Sequence, residues 1–514
     1  KIISLGVCKA MKTIHSYLVE RSIETPNFEG LVDRKHRYTF KQYNEEVNRL
    51  AHYMKEKGVQ KGDRVALLLE NTLFYPVALF ASFKVGAIAI PTNSESTTLE
   101  MENVIDSAKA KLVLYDEKFA TVMAPLIEEK GDVIFKSVMA QDESLEGFQQ
   151  FLKSYSADEP NVVVNPEDPA LFLFTSGTTG KPKICEIIHK TYTSYFESGD
   201  VSKWKNTGEG ARFLAVHPLF HMSSLISVFG AAFMGMTVVC SMKSEPTQIW
   251  ETIQDQKINS MMAFPYVYNH MIEEYHKGNY DASSLKQLQT GGTKVPSSLF
   301  DKYKEINVPL LSGYGSTEAF VLTRYVPSMG REKADSAGLP VDDIEIKIVD
   351  KDTHEPLENG EVGEILIRSP YVFEGYWGNE EATEKAFEDG WFLMGDAGMI
   401  DEDGFLYIMG RYKDVIVYGG ENIYPDGVEE VLTSIKGVRE AAVVGMKDET
   451  FGEVPKAFIV KQPGSPLSEE DVLSYCKGRL SDYKIPAVEF VESLPKNPVG
   501  KVLKNVLRDR KQYA

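Results

Sequence analysis

The sequence predicts an α/β protein, with a doubly wound sheet first, a small antiparallel barrel next and an α+β unit at the end. Three observations carry this. Up to about Val341, short apolar runs alternate with stretches of helical length, the pattern of buried parallel strands joined by crossover helices. Beyond it, short alternating strands are separated by Asp-Gly and Asn-Gly turns, which favour hairpins. From about residue 411, helix and strand patterns mix without strict alternation.

Taken in order, residues 38–47 open an amphipathic helix whose apolar positions continue through Val47, Leu50, Ala51 and Met54, with Gly58 as its stop. Strand runs at 65–69 and 87–90 flank a helix at 74–85. Further strands are predicted at 111–115, 133–138, 170–174, 212–216, 236–241, 259–264, 285–290 and 308–311. The uncharged stretch 222–242 approaches membrane-spanning length, but its serines and glycines divide it into a buried helix and a strand at 236–240. Strands at 342–349, 361–368 and 405–409 form the antiparallel unit. The last unit has helices at 425–435, 468–480 and 500–511 and strands at 440–445 and 456–461.

Composition narrows the function. The 514 residues are 43% hydrophobic and 25% charged, which excludes collagenous, disulfide-scaffold and disordered classes. With 56 Lys or Arg against 75 Asp or Glu, the formal net charge is −19. That global field opposes nucleic acid and anionic lipid, so neither is expected as a partner, and no integral membrane segment is expected. Cys8, Cys185, Cys240 and Cys476 include no C-x-x-C pair and no zinc spacing, which fits a reduced, cytoplasmic protein. The N-terminus faintly resembles a lipoprotein signal, but its apolar run is short and Val7 is bulky before Cys8. Residues 1–10 therefore read as extra sequence before a start at Met11.

Chemistry concentrates in four segments. After the run 170–174 comes Thr175-Ser176-Gly177-Thr178-Thr179-Gly180-Lys181-Pro182-Lys183. Hydroxyls and glycines let N–H and O–H donors converge on phosphate oxygens, and the lysines add charge. It is not a Walker A loop, because two residues rather than four separate the glycines and Pro182 follows the lysine. Leu311-Ser312-Gly313-Tyr314-Gly315-Ser316-Thr317-Glu318 sets an aromatic face beside a hydroxyl and a carboxylate. The stretch from Trp391 to Asp396, followed by Gly410-Arg411-Tyr412-Lys413-Asp414, offers an acid for ribose hydroxyls and an arginine beyond it. Pro495-Lys496-Asn497-Pro498-Val499-Gly500-Lys501 places a lysine after a glycine near the end of the chain. Singly, these segments read as a surface turn, a loop aromatic, a turn-shaping acid and a solvated basic helix face.

In this order and spacing the four segments resemble the adenylate-forming superfamily of acyl-CoA synthetases, aryl-CoA ligases, luciferases and peptide-synthetase adenylation domains. The resemblance covers about residues 20–510. It is strongest to acyl-CoA ligases, including the carnitine/crotonobetaine-CoA branch, through Gly419-Gly420-Glu421-Asn422-Ile423-Tyr424-Pro425 and the run from Gly375-Tyr376 to Gly390-Trp391. It implies an N-terminal adenylation domain at 11–410, with two doubly wound α/β subdomains plus a small β-barrel. A smaller, mobile α+β domain at 411–514 would carry the catalytic lysine.

The implied reaction is ATP-dependent acid–thiol ligation. A carboxylic acid becomes an acyl-adenylate with release of pyrophosphate, and coenzyme A then displaces AMP. By position, Thr175, Ser176, Gly177, Thr178, Thr179, Gly180, Lys181 and Lys183 would hold the β- and γ-phosphates. Tyr314, between Gly313 and Gly315, would stack on adenine. Thr317 would touch the α-phosphate, and Glu318 would hold Mg²⁺. Asp396 would take the ribose hydroxyls, with Arg411 near them. Lys501 would bridge the acid and the α-phosphate. Lys413 is the implied hinge, and rotation there would replace Lys501 with the loop holding Gly420 and Glu421. Alternative readings are loading of a carrier-protein phosphopantetheine, or a non-catalytic nucleotide-binding relative. A homodimer is allowed by the sequence without being specified by it.

Three positions depart from the family pattern: Ile184 where glycine is usual, Met394 where Thr or Ser is common, and Val417 where plant aryl-CoA ligases carry lysine. None removes a charge the mechanism needs. The acyl pocket is expected from His221-Met222-Ser223-Ser224, Ser227, Thr290 to Lys294 and Ser312 to Tyr314. Residues 217–224 contain no acid, so the ammonium of an α-amino acid would be buried unpaired, which argues against such substrates. Ser223 and Ser224 suggest room with some polarity, while chain length is not readable. His221 is the candidate gate to the CoA channel.

Overall fold

The computed structural model describes residues 12–139, 146–175, 183–203, 205, 207–241, 245–448, 450–497 and 500–509. The expectations for residues 1–10 and for Ser176 to Lys181 lie outside the described residues.

Two doubly wound sheets form the large N-terminal part, as expected. The first has seven strands in the order Gly375–Tyr376, Lys183–Ile188, Pro169–Thr175, Ile88–Pro91, Arg64–Leu68, Leu112–Asp116, Ile134–Met139. From Pro169–Thr175 onward in this order neighbouring pairs are parallel, while Lys183–Ile188 turns back antiparallel. The second has nine strands: Leu339–Pro340, Phe320–Tyr325, Leu310–Ser316, Gln287–Gly291, Ser260–Met262, Arg212–Ala215, Thr237–Cys240, Glu29–Val32 and Arg37–Thr39. Its interior pairs are parallel, with antiparallel strands at both edges.

The helices between the sheets are explained by their sequences. Phe40–Glu56 starts at a capping box: Thr39 Oγ1 accepts from Gln42 N–H at 3.2 Å while Gln42 Oε1 accepts from Thr39 N–H at 3.0 Å. Every residue of Phe74–Lys84 is buried, as an apolar all-round helix requires. It packs against Met222–Met234, with the Phe80 and Phe83 rings edge-on to Phe229 at 5.7 and 5.5 Å. Gly235 ends Met222–Met234 at φ 81°, and the strand Thr237–Cys240 follows, so the uncharged stretch divides as its sequence predicts. Among the described residues, no helix is long and apolar enough to cross a membrane. The one charge at the end of the buried helix is satisfied: Lys84 Nζ donates to Asn44 and Asn48 Oδ1 at 2.7 Å and to both oxygens of Glu159.

The small antiparallel unit centres on Trp391–Ile400, which pairs with Gly363–Arg368, Phe387–Glu388 and Leu406–Arg411, while Glu345–Val349 extends the sheet beyond Gly363–Arg368. The C-terminal unit is a five-stranded sheet in which Gly452–Lys461 pairs with Val438–Asp448, Ile416–Tyr418 and Ala487–Phe490, and Glu421–Ile423 pairs with Ile416–Tyr418. It has its own core, with Val428, Leu432, Val443, Ile459 and Val472 at its centre.

Several boundaries differ from the sequence reading. The strand expected at 308–311 runs Leu310–Ser316, because its Gly/Ser end keeps pairing with Gln287–Gly291 and Phe320–Tyr325. The helix expected at 468–480 is Glu469–Cys476, with Gly478 at φ 82° beyond it. The helix expected at 500–511 is Lys504–Arg508. Residues 500–503 instead fold back, Val502 bridging to Lys496, because Gly500 turns at φ 77°.

Candidate active site

The seven-stranded sheet, the nine-stranded sheet, the antiparallel unit and the C-terminal loop enclose a cavity of about 1070 Å³. Its walls bring together Thr175, Lys183, Gly313, Tyr314, Gly315, Thr317, Glu318, Arg411, Lys501 and His221. Residues proposed from four separate segments thus meet at one place.

The Asp396 group is built by strand register. Asp396 lies opposite Arg411 in the pairing of Trp391–Ile400 with Leu406–Arg411. It is 4% exposed and stands behind the cavity wall. Tyr314 O–H donates to Asp396 Oδ2 at 2.6 Å, and Arg411 Nε lies 3.0 Å from Oδ1 without the alignment of a hydrogen bond. Oδ1 is therefore a buried acceptor with a cation beside it and no hydrogen-bond donor of its own. Burial, then the charge of Asp396, pushes the Tyr314 phenol far above its ordinary value, so it remains a donor. Arg411 is held charged against burial by Asp396 and Tyr314.

Glu318 sits in the tight turn between Leu310–Ser316 and Phe320–Tyr325. Ser316 Oγ accepts from Ala319 N–H at 3.1 Å within that turn. A side chain at Gly315 would come within 1.8 Å of the Phe320 carbonyl oxygen, so the turn requires glycine there. Glu318 Oε1 accepts from Tyr376 O–H at 3.2 Å, and its carbonyl accepts from Phe373 N–H at 2.7 Å. Lys183 Nζ lies 4.4 Å from the centre of the Tyr376 ring. A carboxylate on a fixed turn, facing a cavity also lined by Lys183, Arg411 and Lys501, has the oxygen chemistry a hard divalent cation takes.

Lys501 reaches the cavity from the folded-back loop. Its N–H donates to Asn497 Oδ1 at 2.8 Å and its carbonyl accepts from Asn497 N–H at 2.9 Å. The side chain is open to the cavity yet surrounded by its walls. That enclosure, then the charge of Arg411, with Lys413 adding, lowers the ammonium to about 8, while Asp396 and Asp414 work the other way. His221 caps the start of Met222–Met234, 5.8 Å from and perpendicular to the Phe264 ring and 5.4 Å from the His217 ring. Burial, then Lys501, lowers it to about 4, so it is a neutral imidazole.

The cavity continues into an arm walled by Phe196, Phe213, Ile226, Phe233, Met234 and Met236. Gly230 opens it: a side-chain carbon there would stand 3.3 Å from the Phe196 ring. The buried hydroxyls of Ser223 and Thr290 line the cavity without a hydrogen-bond partner. Of the expected pocket residues, His221 to Ser223, Ser227, Thr290 to Gly292 and Ser312 to Tyr314 line it, whereas Thr293, Lys294 and Ser224 do not; Ser224 is buried with its hydroxyl donating to the His217 carbonyl at 3.3 Å. Gly420 and Glu421 do not; they lie on an exposed hairpin of the C-terminal sheet, with Glu421 opposite Tyr418. Sequence reasoning missed Tyr376 as a partner of Glu318 and missed the aromatic arm. Tyr376 is 58 residues from Glu318 along the chain, and the apolar lining residues are scattered over several elements.

Comparison with known proteins agrees with this geometry. The AMP-binding enzyme family matches residues 19–377, and the AMP-binding enzyme C-terminal domain matches residues 427–501. YdaB of Bacillus subtilis (strain 168), which is named as an acyl-CoA ligase, is 42% identical over 502 residues, covering 97% of this chain and 99% of its own. A long-chain-fatty-acid–CoA ligase of Mycobacterium tuberculosis is 33% identical over 508 residues, covering 97% and 99%. Among solved structures, o-succinylbenzoate CoA synthetase of Bacillus subtilis in complex with its acyl-adenylate intermediate superposes with a TM-score of 0.85 at 31% identity, covering 96% of this chain and 98% of that one. The same enzyme in complex with ATP and magnesium ion gives 0.84. The chain therefore belongs to the AMP-binding enzyme family, within the adenylate-forming acyl-CoA ligase superfamily.

Proposed function

We propose that this cavity joins ATP to an apolar-tailed carboxylic acid, then passes the acyl group to coenzyme A. The chain is an AMP-forming acyl-CoA synthetase that works with ATP, Mg²⁺ and CoA. The observation that carries the assignment of roles is one cavity lined both by Lys501, Arg411, Thr317 and Glu318 and by the apolar side chains of Phe196, Phe213, Ile226 and Phe233.

In this reading Lys501 reduces the repulsion between the acid and the α-phosphate as they approach, the larger part of the catalysis. Thr317 donates to the α-phosphate, and Asp396 Oδ1 accepts from the ribose. Thr175 and Lys183, with Ser176 to Lys181 between them, hold the outer phosphates. Tyr314 serves as the adenine wall. Glu318 is the ligand for Mg²⁺, which when bound offsets charge on the phosphate oxygens. We place the domain boundary at 410/411, where the antiparallel sheet hands over to the turn Tyr412–Asp414. Rotation there exchanges Lys501 for the hairpin carrying Gly420 and Glu421, and neutral His221 gates the thiol's approach. The free, buried Cys185, Cys240 and Cys476 support a cytoplasmic location.

The acid is sought with a panel of short, medium, long and aromatic acids, using ATP, Mg²⁺ and hydroxylamine trapping. Acids with an apolar tail should release pyrophosphate, and added CoA should yield acyl-CoA by mass spectrometry. Adenylate that accumulates without thioester points to a carrier protein as acceptor, and no acid-dependent pyrophosphate release sinks the reading. Gly230→Met should exclude the longer tails while shorter acids keep their kcat/KM.

A further inference from the structure

We propose that Tyr376 is a positioning residue for adenylation, its hydroxyl orienting Glu318 for the metal and its ring orienting Lys183 for the phosphates. The inference rests on the roles given above to Glu318 and Lys183. Tyr376 belongs to a two-residue strand, Gly375–Tyr376, laid antiparallel on Lys183–Ile188 with Tyr376 opposite Cys185. From there its O–H reaches Glu318 Oε1 at 3.2 Å, and its ring lies 4.4 Å from Lys183 Nζ. Glu318 comes from the nine-stranded sheet and Lys183 from the seven-stranded one, so a single side chain spans both.

The tyrosine is itself fixed. Its N–H donates to Thr383 Oγ1 at 2.9 Å. Its ring meets Phe373 at 4.8 Å and 71°, and Phe373 N–H is the donor to the Glu318 carbonyl. A carboxylate with one oxygen committed to a fixed donor presents the other in a defined direction, and an ammonium over a ring face is drawn to it by the ring quadrupole.

Two variants separate the functions: Tyr376→Phe keeps the ring and loses the hydroxyl, and Tyr376→Leu loses both. ATP affinity is measured calorimetrically without acid, once with saturating Mn²⁺ and once without metal. Tyr376→Phe should lower the metal's enhancement of ATP affinity about tenfold, the scale of one hydrogen bond to a charged group. Its metal-free ATP affinity and the KM for acid should stay unchanged. Tyr376→Leu should weaken metal-free binding as well. Thioester formation from supplied acyl-AMP should persist in both, which certifies a folded site. Wild-type metal enhancement in Tyr376→Phe overturns the proposal, as does an equal rise in the KM for acid. A wild-type protein whose ATP affinity ignores Mn²⁺ would instead overturn the assignment of Glu318.

Discussion

Lys501 holds its proton less firmly than a free lysine because the cavity walls, and then Arg411, oppose its charge. Below about pH 8 the free enzyme carries the ammonium that adenylation needs, and above it that charge is lost. The kcat/KM for pyrophosphate exchange should therefore fall on a basic limb near pH 8. In kcat the limb should move upward, because two bound anions favour the charged form. Lys501→Arg, if active, should lose the limb, since guanidinium does not titrate there. Lys501→Ala should cut adenylation by about a hundredfold or more while largely sparing thioester formation from supplied acyl-AMP. Equal loss in both half-reactions would remove Lys501 from its proposed role. Asp396→Ala should raise the KM for ATP and leave Arg411 and Tyr314 without their shared partner, with a loss of stability of about 1–3 kcal/mol.

At the scale of elements, the loop from Lys496 to Val502 works because of one glycine. Gly500 has φ 77°, and a side-chain carbon on it would come within 2.3 Å of the Tyr266 ring. Gly500→Ala should slow adenylation about tenfold or more through backbone strain and displacement of Lys501, with thioester formation less affected. Adding Tyr266→Ala should restore part of the loss by removing the clash but not the strain. This loop also marks what the sequence could and could not tell. Motif chemistry was legible wherever the reacting groups are close along the chain, as at Gly313 to Glu318 and Asn497 to Lys501. The basic residues after Lys501 suggested a helix from 500, and only the turn at Gly500 and the bridge of Val502 to Lys496 reveal the hairpin. Partnerships across long separations were not legible: Tyr314 with Asp396 spans 82 residues and Tyr376 with Glu318 spans 58. The strand Leu310–Ser316 outruns its predicted end at 311 because pairing on both sides overrides the low strand propensity of its glycines and serines.

For the whole molecule, several of the contacts that seat the C-terminal unit over the cavity are polar. Lys294 pairs with Glu430 at 2.6 Å, Arg439 Nη2 meets His270 Nε2 at 3.3 Å, and Lys496 Nζ lies 5.6 Å from the centre of the Tyr266 ring. Partly exposed pairs of this kind contribute about 0–1 kcal/mol each and weaken with salt. The proposed rotation of this unit would break these pairs. Glu430→Lys, which sets two like charges together, should lower adenylation severalfold relative to thioester formation, and raising the salt concentration should move the wild type the same way. If both half-reactions respond alike, these contacts do not govern the seating.

The paired helices Phe74–Lys84 and Met222–Met234 have the opposite character. They meet through the Phe80 and Phe83 rings against Phe229, Phe74–Lys84 is buried along its whole length, and each helix also packs against its own sheet. The aromatic side by which each helix meets the other loses its cover if the two sheets separate. The N-terminal part should thus melt as one cooperative body, seen as a single calorimetric transition, with the separately cored C-terminal unit free to melt apart from it. A protease cut in a loop of one sheet would then loosen both, so limited digestion should release the C-terminal unit long before it separates the two sheets.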